Sequence, residues 1–236
     1  MTIGTIFVGR DSRETVSADV CHYSLLRTMA RPRRYDVAYL DLAPLINSGM
    51  YRRPMKQNAN GQMYDVISNA PMATQFALSR FFVPHIAPEN IDWALFCDGD
   101  FMFRANVGEL FKLADDRYAV MCVKHKSYKR ASDIKMRGYL QTDYDKKLWS
   151  SLMLFNLRHS ANALLTIEKL NTMPGLWLHQ FKWLGDDELI GALPLEWNWL
   201  YGVSDPNIIP KAIHFTNGTP DMMPYIQEWY QQVHAP

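Results

Sequence analysis

Leu95-Phe96-Cys97-Asp98-Gly99-Asp100-Phe101-Met102-Phe103 lies near the middle of the 236-residue chain. An apolar run rises from Trp93 to Cys97, halts at two aspartates separated by a glycine, and resumes as Phe-Met-Phe. Apolar residues without a helical repeat, bounded by Gly and Asp, predict a buried strand that ends at a turn. Two carboxylates at such an end are costly if they are desolvated without a partner. Hard oxygen ligands on a loop suit Mg²⁺ or Mn²⁺ shared with a phosphate. Taken alone, the tripeptide reads as a solvated Asp-Gly turn, which is common. The segments around it change that balance.

The length predicts one domain, 1–236, with a sizeable core. Hydrophobic residues make up 48% of the chain and charged ones 21%, the balance of a soluble globular protein. A formal net charge of +1 gives no global pull toward nucleic acid or membrane. The cysteines, Cys21, Cys97 and Cys122, are odd in number and widely spaced, against a disulfide framework and against a zinc site. No apolar stretch has the length of a membrane span, and no signal peptide is visible. The expected setting is the reducing cytoplasm.

Around the central stretch the chain alternates strand and helix. Residues 5–9 predict a first strand, ending at Arg10-Asp11. Asp11 with Glu14 resembles a helix N-cap pair, and Val16, Val20, Tyr23 and Leu26 follow at helical spacing. Residues 37–42 predict a second strand. A β-α-β opening points to an α/β domain with a mainly parallel sheet, which binds ligands at the carboxyl ends of its strands. Residues 43–70 carry too many Pro, Gly and Asn for any period and predict a long, basic loop. A helix is expected over 74–84, with Arg80 near its apolar side. Such an arginine usually snorkels to solvent, and in a minority of cases forks onto a phosphate or carboxylate. A short helix over 107–113 and a strand over 118–123 come next. The segment 124–147 is polar and basic without any nucleic-acid motif. Then come a strand over 149–156, a helix over 161–170, an aromatic-rich stretch over 174–183 and a second acidic cluster, Asp186-Asp187-Glu188, opening a helix. Acids at a helix N-terminus are stabilising by themselves. A strand over 195–199, an apolar run ending in His214-Phe215-Thr216-Asn217-Gly218, and a final helix over 221–236 complete the chain. Rossmann, P-loop and Gly-x-Ser-x-Gly signatures are absent.

The order of these pieces resembles the GT-A glycosyltransferases, closest to the retaining family 8-like group that includes glycogenin and bacterial galactosyltransferases. Five segments carry the resemblance: Phe7-Val8-Gly9-Arg10-Asp11 with Ser24-Leu25, Ser79-Arg80-Phe81, Phe96-Cys97-Asp98-Gly99-Asp100, Leu152-Met153-Leu154-Phe155-Asn156, and Ile213 to Pro220. It implies a nucleotide-binding part over about 1–123 and an acceptor-side part over about 124–220. It implies that Asp98 and Asp100, flanking Gly99, hold Mn²⁺ or Mg²⁺ on the diphosphate of a nucleotide sugar, a UDP-sugar. His214 becomes a further metal ligand, and Gly218, closing that motif, joins the donor-binding set. Val8 through its backbone and Asp11 through its carboxylate are implied to meet the nucleoside, and Arg80 to reach the donor. Asp186 is expected to orient the sugar or acceptor, and Asp187 to face the anomeric carbon. The reaction implied is transfer to an acceptor hydroxyl with retention.

Three departures stand out. Thr219-Pro220-Asp221 lacks the lysine that touches the diphosphate in relatives, leaving Arg10, Lys211 or the basic loop to replace it. Trp149-Ser150-Ser151 replaces an Asn-Ala/Ser-Gly element that contacts the donor sugar. Asp187 replaces a common glutamine. A dehalogenase-type phosphatase carries its aspartates on the first strand, and a nucleotidyltransferase needs a Gly-rich basic loop after Val8. Neither pattern fits. A weakly active or inactive nucleotide-sugar or glycan-binding protein on a GT-A scaffold is the other reading.

Overall fold

The opening run forms β1 (Gly4–Gly9), buried along its whole length. The computed structural model describes residues 3–59, 61–126 and 144–219. α1 (Thr15–Thr28) follows, with Glu14 rather than Asp11 at its N-cap, and then β2 (Tyr35–Leu40). The expected long loop is instead α2 (Leu42–Asn47) and an antiparallel meander of β3 (Met55–Gln57), β4 (Met63–Asp65) and β5 (Ala70–Met72). Three-residue strands are too short for a period-2 pattern to register. Helical turns run from α3 (Phe76–Ser79) through Arg80–Phe82 to α4 (Val83–Ile86).

The central stretch is β6 (Trp93–Cys97), a two-aspartate turn, and β7 (Phe101–Phe103). α5 (Gly108–Phe111) and β8 (Val120–Cys122) follow. A 3₁₀ turn, Trp149–Ser151, leads into β9 (Leu152–Asn156). The expected helix over 161–170 divides into a 3₁₀ segment, Ser160–Leu164, and α6 (Ile167–Thr172); α7 (Gly175–His179) comes next. The acidic cluster opens a 3₁₀ turn, Asp187–Leu189, before β10 (Ile190–Ala192). Residues expected as a strand over 195–199 are mostly a 3₁₀ turn, Leu195–Asn198, ahead of the two-residue β11 (Trp199–Leu200). β12 (Ala212–His214) is the last described strand. The final helix expected over 221–236 lies outside the described residues.

The main sheet has the order β10-β8-β9-β6-β1-β2. β1 runs parallel to β2 and to β6, and β10 parallel to β8; β9 lies antiparallel between β6 and β8. Alternation along the strands divides the core into two layers. Phe7, Ala94, Phe96, Met153 and Phe155 face one layer, with Phe76 and Phe81 from the helical turns. Ile6, Val8, Leu95, Cys97, Leu152 and Leu154 face the other, with Ala18, Cys21 and Leu25 of α1. A strand covered on both faces is apolar throughout, which is why β6 reads as an unbroken run. A small sheet, β11-β12-β7, lies beyond the carboxyl end of β6.

Candidate active site

The fold brings three donors together from two distant stretches. β7 and β12 pair antiparallel with His214 opposite Phe101, and the Phe215 N–H donates to the Asp100 carbonyl at 3.0 Å. The imidazole stacks on the Phe101 ring at 4.4 Å and 17°, which fixes its plane. One ligand atom each from Asp98, Asp100 and His214 lies within 4.8 Å of the others. His214 Nε2 is 3.4 Å from Asp100 Oδ1. An octahedral Mg²⁺ with bonds of about 2.1 Å holds its donors about 3–4 Å apart, so the cluster needs only slight contraction. Two carboxylates with one imidazole suit a borderline divalent ion such as Mn²⁺.

Gly99 makes this turn sterically feasible. A Cβ there would collide with the Gly9 carbonyl oxygen and come within 3.2 Å of Ala18 Cβ. The turn is thereby pressed against the end of β1 and the start of α1.

Arg80 braces Asp98. Its Nη1 pairs with Asp98 Oδ1 at 2.8 Å and donates to the Ser150 carbonyl at 2.9 Å, while Nε donates to the Phe76 carbonyl at 3.2 Å. The guanidinium packs beside the tilted Phe76–Phe96 ring pair, 5.4 and 5.1 Å from their centroids. Of the outcomes expected for Arg80, snorkelling to solvent or reaching a phosphate or carboxylate, its side chain takes the last, turned inward onto Asp98. The Asp98 N–H donates to the Ser151 carbonyl at 2.9 Å. The Ser150 hydroxyl bonds His179 Nδ1 at 2.8 Å, and burial together with the Arg80 charge pushes the His179 pKa down to about 3. Burial and the neighbouring His214 push His125 down to about 4.

A cavity of about 370 Å³ opens beside this arrangement, lined by Arg80, Asp98, Tyr144, Lys147, Ser150 and His179 among others. Met72, Ala77, Leu78 and Pro174 supply its apolar wall. Asp65, also on the cavity wall, forms a buried pair with Arg53, Nη2 to Oδ2 at 2.6 Å, and Arg53 ties the meander to the carbonyls of Leu170 and Met173.

The other expected site residues fall elsewhere. Val8 is in the paired body of β1, between Tyr39 and Cys97. Asp11 is buried, and its oxygens accept from Arg13 N, Nε and Nη2 and from Gln75 N. Burial alone would raise its carboxyl, and the Arg13 and Gln75 bonds hold it below the ordinary value. A carboxylate has about four acceptor positions, so Asp11 could meet a nucleobase only by releasing one of these donors. Gly218 adopts φ +116°, a conformation suited to glycine, in the turn after β12. Asp186 accepts from the Glu188 N–H at 2.8 Å, and Asp187 pairs with Lys146. Both are exposed, and neither lines the cavity.

Sequence reasoning marked Trp149-Ser150-Ser151 only as a departure at a donor-sugar element and missed the hydrogen bonds of Ser150 and Ser151 to the cluster, and it missed His179 and Asn198 altogether. Asn198 is fully buried between two tryptophans in sequence. A polar side chain inside an apolar run is the signal that could have marked it.

Sheet order, the two-aspartate turn at the end of β6 and the histidine arriving on β12 define the class: this is the GT-A fold of glycosyltransferases. The bifunctional glycosyltransferase WbbM aligns with TM-score 0.60 and 17% identity over 98% of this chain, which spans about half (51%) of WbbM. Mouse xyloside xylosyltransferase 1 aligns with TM-score 0.52 and 14% identity over 92% of this chain and 99% of its own. The galactosyltransferase LgtC, solved with donor and acceptor sugar analogs, aligns with TM-score 0.52 and 11% identity over 97% of this chain and 94% of its own. No family model matches the sequence. The chain belongs to the family of Protein CDI from Arabidopsis thaliana, with which it is 39% identical over 220 residues, 91% of this chain and 78% of that protein.

Proposed function

We propose that the chain is a metal-dependent glycosyltransferase that moves a sugar from a UDP-sugar to an acceptor hydroxyl, with retention at the anomeric carbon. The observation that carries this reading is the convergence of Asp98, Asp100 and His214 next to a cavity that Asp98 itself lines. A divalent cation, Mn²⁺ or Mg²⁺, bound there supplies charge neutralisation for the leaving diphosphate. Arg80 holds the Asp98 carboxylate and brings a buried positive charge to the cavity wall.

Lys147 is the proposed counter-charge for the diphosphate. Arg10, forked onto Asp41 at 2.8 and 2.7 Å, and Lys211, paired with Glu109 at 3.3 Å, stand away from the cavity lining. Lys147 lines the cavity. Asp187 is proposed to enter from the rim, because its partner Lys146 directly precedes Lys147. Asp11 shapes the loop after β1 in this reading and leaves the base to other groups. The names of the structural neighbours, a xylosyltransferase and a galactosyltransferase with donor and acceptor sugar analogs, agree with a sugar donor and a sugar-like acceptor. Three unbridged, buried cysteines accord with a cytoplasmic setting; among the described residues, no helix is long and apolar enough to cross a membrane.

A thermal-shift panel tests the reading. UDP or one UDP-sugar should raise the melting temperature in Mn²⁺ and not in chelator, because a ligand that binds the native state alone stabilises it. The absence of any Mn²⁺-dependent shift across the common nucleoside diphosphates would overturn it.

A further inference from the structure

His214 meets the carboxylate cluster with one ring nitrogen and is held by the other. Its Nδ1 lies 2.9 Å from Asn198 Oδ1, and Asn198 Nδ2 lies 2.9 Å from Ser151 Oγ. Ser151 Oγ in turn lies 2.6 Å from the Leu148 carbonyl oxygen. Asn198, Ser151 and His214 are all at most 1% exposed, so each bond forms away from solvent.

The direction of this relay is dictated from its far end. A carbonyl oxygen only accepts, so the Ser151 hydroxyl donates to Leu148. Ser151 Oγ then faces Asn198 as an acceptor, and only the amide NH₂ can satisfy it. That turns the amide oxygen to His214, and Nδ1 must carry the ring hydrogen. Nε2 is left with its lone pair, directed toward Asp100. A metal binds only an imidazole nitrogen that carries no hydrogen, and the bond made by the other nitrogen decides which one that is.

We propose that Asn198 and Ser151 are positioning residues that lock His214 in the Nδ1–H tautomer and so prepare Nε2 as the third ligand of the divalent cation. This rests on the metal reading of Asp98, Asp100 and His214. The same short turn serves the whole cluster. Ser150 receives the arginine that pairs with Asp98, the Ser151 carbonyl receives the Asp98 N–H, and the Ser151 hydroxyl starts the relay to His214. The Trp149-Ser150-Ser151 departure from the related glycosyltransferases thereby acquires a role in metal binding.

The test measures Mn²⁺ affinity of the full chain without nucleotide, from the electron paramagnetic resonance signal of free Mn²⁺. It also reads the His214 tautomer of the metal-free protein by long-range ¹⁵N–¹H correlation. Asn198→Leu should weaken Mn²⁺ by about 10–100-fold, the usual effect of losing an outer-shell partner, and should populate the Nε2–H tautomer. Asn198→Asp should restore affinity to within about threefold of wild type, since a carboxylate also accepts from Nδ1–H. Ser151→Ala frees the amide to flip and should shift the tautomer in the same direction as Asn198→Leu, with a smaller loss of affinity. A folded Asn198→Leu protein with wild-type Mn²⁺ affinity overturns the proposal. So does an Asn198→Asp protein as weak as Asn198→Leu, because lost packing then explains both. If Asn198→Leu fails to fold, an unchanged tautomer and affinity in Ser151→Ala overturn it instead. His214→Ala and Asp100→Ala separate the two levels of argument. Wild-type Mn²⁺ binding in both sinks the metal site itself. Loss in both, with Asn198→Leu unaffected, sinks only the relay.

Discussion

Asp98-Gly99-Asp100 and Asp186-Asp187-Glu188 are similar as strings of acids around a glycine or just after one, and the fold treats them in opposite ways. The first stands at the carboxyl end of β6, a strand near the middle of the main sheet, with both of its faces covered. Its carboxylates are largely withdrawn from water, braced by a buried arginine, and joined by a histidine from a second sheet. The second stands on an exposed 3₁₀ turn before the edge strand β10. There Asp186 caps its own turn, and Asp187 holds a lysine. Position relative to the sheet, rather than the number of acids, decides whether carboxylates are gathered with a buried arginine and histidine or are satisfied locally and by solvent.

The largest expected effect separates the two aspartates of the first cluster. Asp100→Ala should abolish Mn²⁺-dependent donor binding and leave unfolding in urea nearly unchanged. Asp98→Ala should abolish binding and also destabilise the fold by about 3–5 kcal/mol, because it strands the buried Arg80 charge. Equal stability of the two variants would mean that Arg80 does not depend on Asp98.

The glycines beside the clusters sharpen the contrast. Gly99 is required for space and Gly185 for conformation. A Cβ at Gly99 runs into the Gly9 carbonyl, whereas at Gly185, with φ +74°, it meets nothing within 4 Å. Gly99→Ala should cost about 1–3 kcal/mol through overpacking and weaken Mn²⁺ binding with it. Gly185→Ala should cost about 1 kcal/mol of backbone strain and leave Mn²⁺ binding alone. Thermal unfolding with and without Mn²⁺ checks both, and a metal-binding defect in Gly185→Ala would break the separation.

The middle of the sheet was legible because β1, β6, β8 and β9 are buried along their whole length. Apolar runs such as Leu95-Phe96-Cys97 have few other readings, and the aspartates marked where β6 stops. The grouping of His214 with Asp98 and Asp100 was legible only through resemblance, since nothing local in Ile213-His214-Phe215 separates a site histidine from a core histidine. The middle of the chain was not legible for a physical reason. β3, β4 and β5 have three residues each, and the helical segments over 160–198 are 3₁₀ turns and α-helices of at most six residues, so neither period develops. Asp11 was misleading as a cap because its carboxylate is taken up by Arg13 and Gln75. The supports of the site, Ser151 and Asn198, lie 47 residues apart and meet only through tertiary packing.

The smallest expected effect bears on whether the second cluster joins the chemistry of the first. The Asp187 side chain is 69% exposed while its partner Lys146 is 12% exposed, so the pair sits at a rim. An ion pair this exposed contributes about 0–1 kcal/mol to stability. Asp187→Asn should therefore leave the melting temperature within a degree or two of wild type. If Asp187 acts on the anomeric centre, the same change should lower kcat by about tenfold or more with donor KM nearly unchanged, the pattern of a group that matters in the transition state. Lys146→Gln, which releases Asp187 without removing it, should then lower kcat less than Asp187→Asn does. An Asp187→Asn enzyme with wild-type kcat would reduce the second cluster to a surface turn, and the contrast with Asp98 and Asp100 would be complete.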